Sequence, residues 1–206
     1  MTPPTTTATA ALAPSQTVGP YFHDALMRAD ARRNVLAPPE VAGERVRIEG
    51  RVLDAAGVGV PDALIEIWQA NSRGRYNHPA DTREALALDP GFSGYGRVAT
   101  DDDGRYWFET IKPGAAPFAL AAGTVPMPMQ APHLAVVIFA RGLLNHLTTR
   151  LYFADEPANE SDSVLGRAPV ERRESLLARP RTVDGRTLYR WDIVLQGTGE
   201  TVFFNV

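Results

Sequence analysis

Four histidines, at positions 23, 78, 133 and 146, are the only imidazoles in the 206-residue chain. Their spacing bounds its metal chemistry. A chelating strand carries ligands at alternate positions, because residues i and i+2 project from one face. His133 precedes the apolar run Leu134–Ala140 (LAVVIFA), but the next position on its face is Ala135. His23, His78 and His146 are not spaced as a cluster, so surface or structural roles are expected for them. Tyr76 and Tyr95 sit in a long excursion and could be mistaken for phenolate ligands. The run Asp101–Asp103 before Gly104 reads as a hairpin turn, since a calcium loop needs more oxygen ligands at set intervals. Arg141 stands just past the apolar run, where an arginine is ordinarily solvated. Thr17 and Tyr21 flank a Gly-Pro pair, and on their own read as turn stabilisation and a half-buried anchor. Cysteine is absent, which excludes disulfides, thiolate zinc sites and cysteine nucleophiles. No nucleophile elbow, phosphate loop or pair of catalytic carboxylates stands out.

The elements that must position these residues are mostly strands. Val46, Ile48, Gly50 and Val52 alternate with Arg45, Arg47, Glu49 and Arg51, a period of two with one apolar face. Ala63–Gln69 (ALIEIWQ) reads as a second strand, and Gly96–Thr100 with Arg105–Thr110 as a hairpin. The run 134–140 is continuous enough to predict a strand buried on both faces. Thr148–Phe153 follows, and later Tyr189, Trp191, Ile193 and Leu195 alternate with polar neighbours. Glu171–Ala178 (ERRESLLA), between Pro169 and Pro180, predicts the one helix. Residues 71–95 form an excursion of a length that is usually functional or disordered. Residues 31–44 read as a linker. The expectation is an all-β fold, a two-sheet β-sandwich with one short helix and an extended N-terminal arm.

Whole-chain properties agree with one soluble domain. Hydrophobic residues make up 44% and charged residues 22%, the balance of a globular protein. A net charge of −3 offers no electrostatic case for nucleic acid or an anionic membrane. The opening MTPPTTTATAALAP lacks a basic, then apolar, leader pattern, and no apolar run approaches the roughly 18 residues of a membrane span. A cytoplasmic location is expected. Residues 1–14 read as a flexible arm and 45–206 as the sandwich domain.

Several segments together resemble the intradiol ring-cleaving dioxygenases, specifically their protocatechuate-cleaving branch. They are Ser15–Tyr21 (SQTVGPY), Glu66–Ala70 (EIWQA) with Gly74-Arg75-Tyr76, and Asp101–Gly104 leading to Ile111-Lys112-Pro113-Gly114. To these add Ala131-Pro132-His133, Phe139–Gly142 (FARG), Arg150–Phe153 (RLYF), Asp192–Gly197 (DIVLQG) and Gly199–Phe204 (GETVFF). They run in order over nearly the whole chain. The resemblance implies a β-sandwich built into a complex of two related chains, α and β. The β chain carries one non-haem ferric ion on two tyrosinates and two histidines, hard anionic oxygens suiting Fe(III).

Carried onto this sequence, the family's ligand positions hold Glu84 (approximately, the loop differing in length), Ala116, His133 and Ala135. Gln130 stands where the iron-binding chain has an arginine. One ligand of four remains, and a lone imidazole does not hold Fe(III) against hydroxide. Tyr76 is outside the ligand positions and reads as packing. The resemblance therefore implies an α-type chain with no metal and no catalytic residue of its own, its cofactor, Fe(III), being bound by the β partner. It further implies that residues 15–44 pack on that partner chain, that Arg141, Thr17 and Tyr21 reach a cleft shared with it, and that α–β protomers assemble further. The substrates would be O2 and protocatechuate (3,4-dihydroxybenzoate), cleaved to 3-carboxy-cis,cis-muconate in aromatic catabolism. The rival from another class is a metal-free β-sandwich that only binds or supports. Iron content and oxygen uptake, alone and with a β partner, separate the two.

Overall fold

The computed structural model describes residues 14–118 and 128–205. The expected arm, 1–14, lies outside the described residues apart from Pro14. In chain order the elements are helix α1 (Pro20–Leu26) and strands β1 (Arg45–Leu53), β2 (Leu64–Trp68), β3 (Tyr95–Ala99), β4 (Arg105–Ile111), β5 (Ala116–Pro117) and β6 (Met129–Gln130). Then come β7 (His133–Phe139), β8 (Leu147–Phe153), β9 (Leu177–Val183), β10 (Arg186–Arg190) and β11 (Ile193–Val194). Three 3₁₀ helices, Pro157–Ser161, Leu165–Arg167 and Val170–Leu176, fill the connection from β8 to β9.

The fold is mostly β, as expected, but its main strands form one nine-stranded mixed sheet and not the two facing sheets of a sandwich, with β5 and β6 paired apart from it. The order is β11-β1-β10-β9-β8-β7-β2-β3, with β4 also on β1. The joint is β9, which pairs parallel to β8 through Tyr152–Leu177 and Phe153–Ala178, then antiparallel to β10 over five residues. The sheet bends round on itself into a nearly closed barrel. Inside it, Val46, Ile48 and Val52 of β1 meet Ile65, Ile67, Phe108, Leu134, Val136, Ile138, Leu151 and Tyr189. Gly50 interrupts the buried stripe of β1 for a reason: a Cβ there would stand 1.7 Å from the carbonyl oxygen of Trp191.

Three further expectations change. The helix expected at 171–178 is the 3₁₀ segment Val170–Leu176, and its last residues pass into β9. Ser175 is held by tertiary bonds, its carbonyl accepting from Trp191 Nε1 at 2.8 Å and its hydroxyl from Val202 N at 3.1 Å. The sheet thus takes Leu177 and Ala178 from a helix-forming sequence. Strand β7 is not buried on both faces. Leu134, Val136 and Ile138 are inside, while Ala135, Val137 and Phe139 are half-buried on the outer face. The stretch read as a linker is tied to the barrel: Leu36, Ala37 and Val41 join the core, and Arg33 bridges to Arg97.

The long excursion 71–95 is ordered around buried polar side chains. Asn71 accepts from the backbone N–H groups of Arg73 and Arg75 and donates to Ala87 O and Asp89 Oδ2. Gln69, fully buried, donates to the carbonyls of Ala70 and Ile111 and accepts from the Thr110 hydroxyl. The EIWQA segment is therefore structural: Gln69 satisfies backbone carbonyls that would otherwise be buried unpaired, and Glu66 accepts from the Tyr95 and Arg97 side chains.

Candidate functional site: a charged rim and a metal-less face

Two groups of chemically capable residues lie at opposite ends of β7. The first gathers at its C-terminal end. Ala140–Leu143 forms a turn with Gly142 at φ 92°, and Leu143 N donates to Ala140 O. Arg141 rides on this turn, 68% exposed. The hydroxyl of Thr17 accepts from Gly142 N at 2.8 Å, so the N-terminal segment caps the turn. Helix α1 then starts at Pro20, whose locked φ suits the first helical position and whose missing N–H costs nothing there. It lies against the sheet through Phe22 on Phe139, with ring centroids 5.9 Å apart. His23 of α1 and Arg141 converge on one carboxylate: Asp62 Oδ1 is 3.3 Å from His23 Nδ1, and Oδ2 is 3.4 Å from Arg141 Nη2. Tyr21 points away from the chain, 85% exposed.

Of the residues singled out beforehand, Thr17 and Arg141 are thus brought together, and Tyr21 lies on the helix beside them. The sequence reading had Gly19-Pro20 as a turn and missed α1. It also missed Asp62, which joins residues far apart in the chain and carries no motif.

The second group is the outer face at the N-terminal end of β7. Cross-strand partners project to one side of a sheet. The register places His133 beside Tyr152, and Ala135 between Trp68 of β2 and Arg150 of β8. A guanidinium therefore neighbours the position where a second histidine would stand. Ala116 is buried and pairs with Gln130 across the two-stranded β5–β6 sheet. Glu84 is exposed. His133 is buried, and its Nδ1 lies 2.7 Å from Ala131 O. Since a carbonyl only accepts, Nδ1 carries the hydrogen, and Nε2 bears the lone pair. Burial, with the Arg150 charge second, pulls the imidazole down to about 4, so it is neutral near pH 7.

The surrounding groups are tied internally. Asp162 is buried and accepts from Ala131 N at 2.8 Å, Val164 N at 2.9 Å, Leu165 N at 2.7 Å and the Tyr152 hydroxyl at 3.1 Å. Burial raises the Tyr152 and Tyr76 phenols above their ordinary range, so both remain neutral. Tyr76 packs edge-on to Trp68, and His78 lies 5.6 Å from the same indole. Burial, with the hydrogen bond that Tyr95 donates to Glu66 at 2.7 Å second, lifts its phenol to about 12. His146 rests on Phe139.

These residues do not fit a ferric ion. One neutral imidazole faces a site with no phenolate ligand, and the nearby cation of Arg150 repels a trivalent metal. Among the described residues, no three His, Cys, Asp or Glu side chains gather as a metal group. What the face offers is a buried platform organised by Asp162, with one side-chain donor, Gln130 Nε2, left unpaired among the described residues. What the rim offers is an exposed guanidinium on a stiff turn, suited to a carboxylate.

Comparison with known proteins gives these geometries a setting. A family model described as Dioxygenase matches residues 17–197. The chain is 43% identical to the protocatechuate 3,4-dioxygenase alpha chain of Pseudomonas putida, over 93% of this chain and 95% of that one. It is 38% identical to the protocatechuate 3,4-dioxygenase beta chain of Burkholderia cepacia, over 91% of this chain and 77% of that one. Among solved structures, 3-chlorocatechol 1,2-dioxygenase from Rhodococcus opacus 1CP superposes with a TM-score of 0.62 at 21% identity, covering 82% of this chain and 65% of that one. That last likeness concerns the fold alone.

Proposed function

The chain belongs to the intradiol dioxygenase family, and from that premise we propose that it serves as the α-type subunit of a protocatechuate 3,4-dioxygenase. Its work is to complete a site whose iron a β-type partner holds. One observation carries this reading. Arg150 stands across from Ala135, and Ala116 and Ala135 occupy the positions that the resemblance assigns to ligands, in a chain 43% identical to an alpha chain over 93% of its length. A decaying enzyme would lose framework along with ligands. Here the framework is kept, and the metal-less face is knitted closed by Asp162 and its four donors.

Within the complex, the ferric ion of the partner supplies the chemistry that readies the catechol ring for O2. This chain supplies binding. Arg141 presents an exposed guanidinium to the carboxylate of protocatechuate, Thr17 stiffens the turn beneath it, and Tyr21 extends toward the partner. An aromatic side chain as exposed as Tyr21 suits a surface that another chain covers. Residues 15–30, including α1, form the segment that docks there. Residues 31–44 combine that role with packing on their own barrel. Protomers of α and β assemble further, and the product is 3-carboxy-cis,cis-muconate.

The test is to purify the chain alone and co-expressed with a β-type chain. Metal analysis is expected to find no stoichiometric iron in the chain alone. Iron, together with oxygen uptake on protocatechuate, is expected in the pair. Iron and turnover in the isolated chain would overturn the reading, and failure of the pair to form would favour a binding or structural module.

A further inference from the structure

The turn that carries Asp62 is held more firmly than an exposed turn requires. Pro61, with its fixed φ, precedes Asp62 at φ 55°. This is the left-handed region that a second central turn residue enters, and glycine or asparagine enters it most readily. Thr100, buried beneath, locks the turn. Its hydroxyl donates to Val60 O at 2.7 Å and accepts from Ala63 N at 2.8 Å, while its own N–H donates to Ala63 O at 2.9 Å. An aspartate thus occupies a place where glycine would be less strained. Strain of that kind persists where the surroundings enforce it, and it marks candidates for function.

Both oxygens of this carboxylate are engaged. One meets His23 of α1, the other Nη2 of Arg141. Arg141 has no other side-chain hydrogen bond among the described residues, so its Nε and Nη1 groups remain free to donate. The Arg141 turn is itself fastened by the Gly142–Thr17 bond.

We propose that Asp62 is a positioning residue, clamping Arg141 and α1 into one rim so that the guanidinium meets the substrate carboxylate already oriented. A long arginine side chain loses rotational freedom on binding, and a partner that restrains it beforehand reduces that loss. The inference rests on the reading of Arg141 given above. A purely electrostatic role would have the opposite sign, because a carboxylate beside Arg141 weakens its attraction for an anion.

The experiment uses the assembled α–β complex with Asp62→Asn, Asp62→Gly, Arg141→Ala and the double variant Asp62→Asn/Arg141→Ala. Asparagine keeps the left-handed tolerance while removing the charge, and glycine relieves the backbone as well. Each Asp62 variant is expected to raise KM for protocatechuate about threefold to tenfold with kcat within about twofold. Competitive inhibition by catechol, which lacks the carboxylate, should stay unchanged. In the Arg141→Ala background the Asp62→Asn change should add nothing. A KM that falls or holds in Asp62→Asn while Arg141→Ala raises it would overturn the positioning role alone. So would an Asp62 effect that survives without Arg141. If Arg141→Ala leaves KM unchanged, the reading of Arg141 fails first, and this inference with it.

Discussion

The two ends of β7 are separated by roughly 20 Å of strand, and they use polar chemistry in opposite ways. At the His133 end, Asp162 accepts four hydrogen bonds and the imidazole is held neutral in a single tautomer. The Asp162 carboxylate is answered from within the chain, although Gln130 Nε2 beside it lies buried without a partner among the described residues. At the Arg141 end, the charged side chains are exposed, their ion-pair contacts are 3.3 and 3.4 Å long, and the guanidinium keeps unused donors. The first arrangement contributes stability, and the second is left open for a ligand. Under the proposed function, the first end serves as scaffold and the second carries the binding.

This contrast is broken most easily at Asp162. Asp162→Ala strands four donors in the interior and is expected to cost about 3–5 kcal/mol of unfolding free energy by urea titration. KM for protocatechuate in whatever complex still assembles should be unaltered. A shift in KM without loss of stability would erase the division.

Next in size is a pH effect at His133. Its folded pKa of about 4 lies below the value of about 6.5 in the unfolded chain. Between these values the unfolded chain binds more protons. The stabilisation is therefore fully present above pH 6.5 and is lost as pH falls toward 4, on the order of 3 kcal/mol. Urea midpoints at pH 7.5, 5.5 and 4.5 should trace that decline, and His133→Asn should flatten it. A pH response unchanged in His133→Asn would assign it elsewhere.

At the rim the readout changes. Arg141→Ala should raise KM by the value of a charge-assisted hydrogen bond, about 1.5–3 kcal/mol or roughly 10- to 150-fold. Its unfolding free energy should move by less than about 0.5 kcal/mol. The smallest effect is expected from Thr17→Val, which leaves Gly142 N–H to water. It should cost about 0.5–1 kcal/mol in stability and a rise in KM smaller than that of Arg141→Ala. Equal KM effects from both would mean that the loop, and not the guanidinium, meets the substrate.

Period-two alternation made β1 legible, because one face is buried and the other is not. The tyrosine, tryptophan and isoleucine at 189, 191 and 193 were legible for the same reason. Apolar runs and turn residues made β2, β8 and the β3–β4 hairpin legible, and β8 ends buried on both faces at Leu151, Tyr152 and Phe153. Two errors came from local signals overridden by distant ones. Glu171–Ala178 has helical composition, but pairing with β8 and β10 draws its end into the sheet. Pro20 after Gly19 carried a helix-start signal that also reads as a turn. The alanines at 116 and 135, which the resemblance sets at ligand positions, could be read because they are single positions in recognisable segments. Asp62 and Arg150 were not, since their meaning depends on a cross-strand register and on a contact from residue 62 to residue 141 that no spacing rule reports.

The pairing of β1 has a consequence for synthesis. One edge meets β4, but the other meets β10 and β11 in parallel, with Val46 beside Thr187 and Val52 beside Ile193. At ordinary translation rates of about 5–20 residues per second, that second edge waits on the order of 10–30 s for its partner to be made. An open strand edge is a template for the wrong neighbour. Arg45, Arg47, Glu49 and Arg51 line the non-core side of β1, so the waiting strand is crowded with charge. The row that later forms ion pairs with Glu109 and within itself thus keeps a half-made barrel from adhering to its copies while the ribosome finishes it.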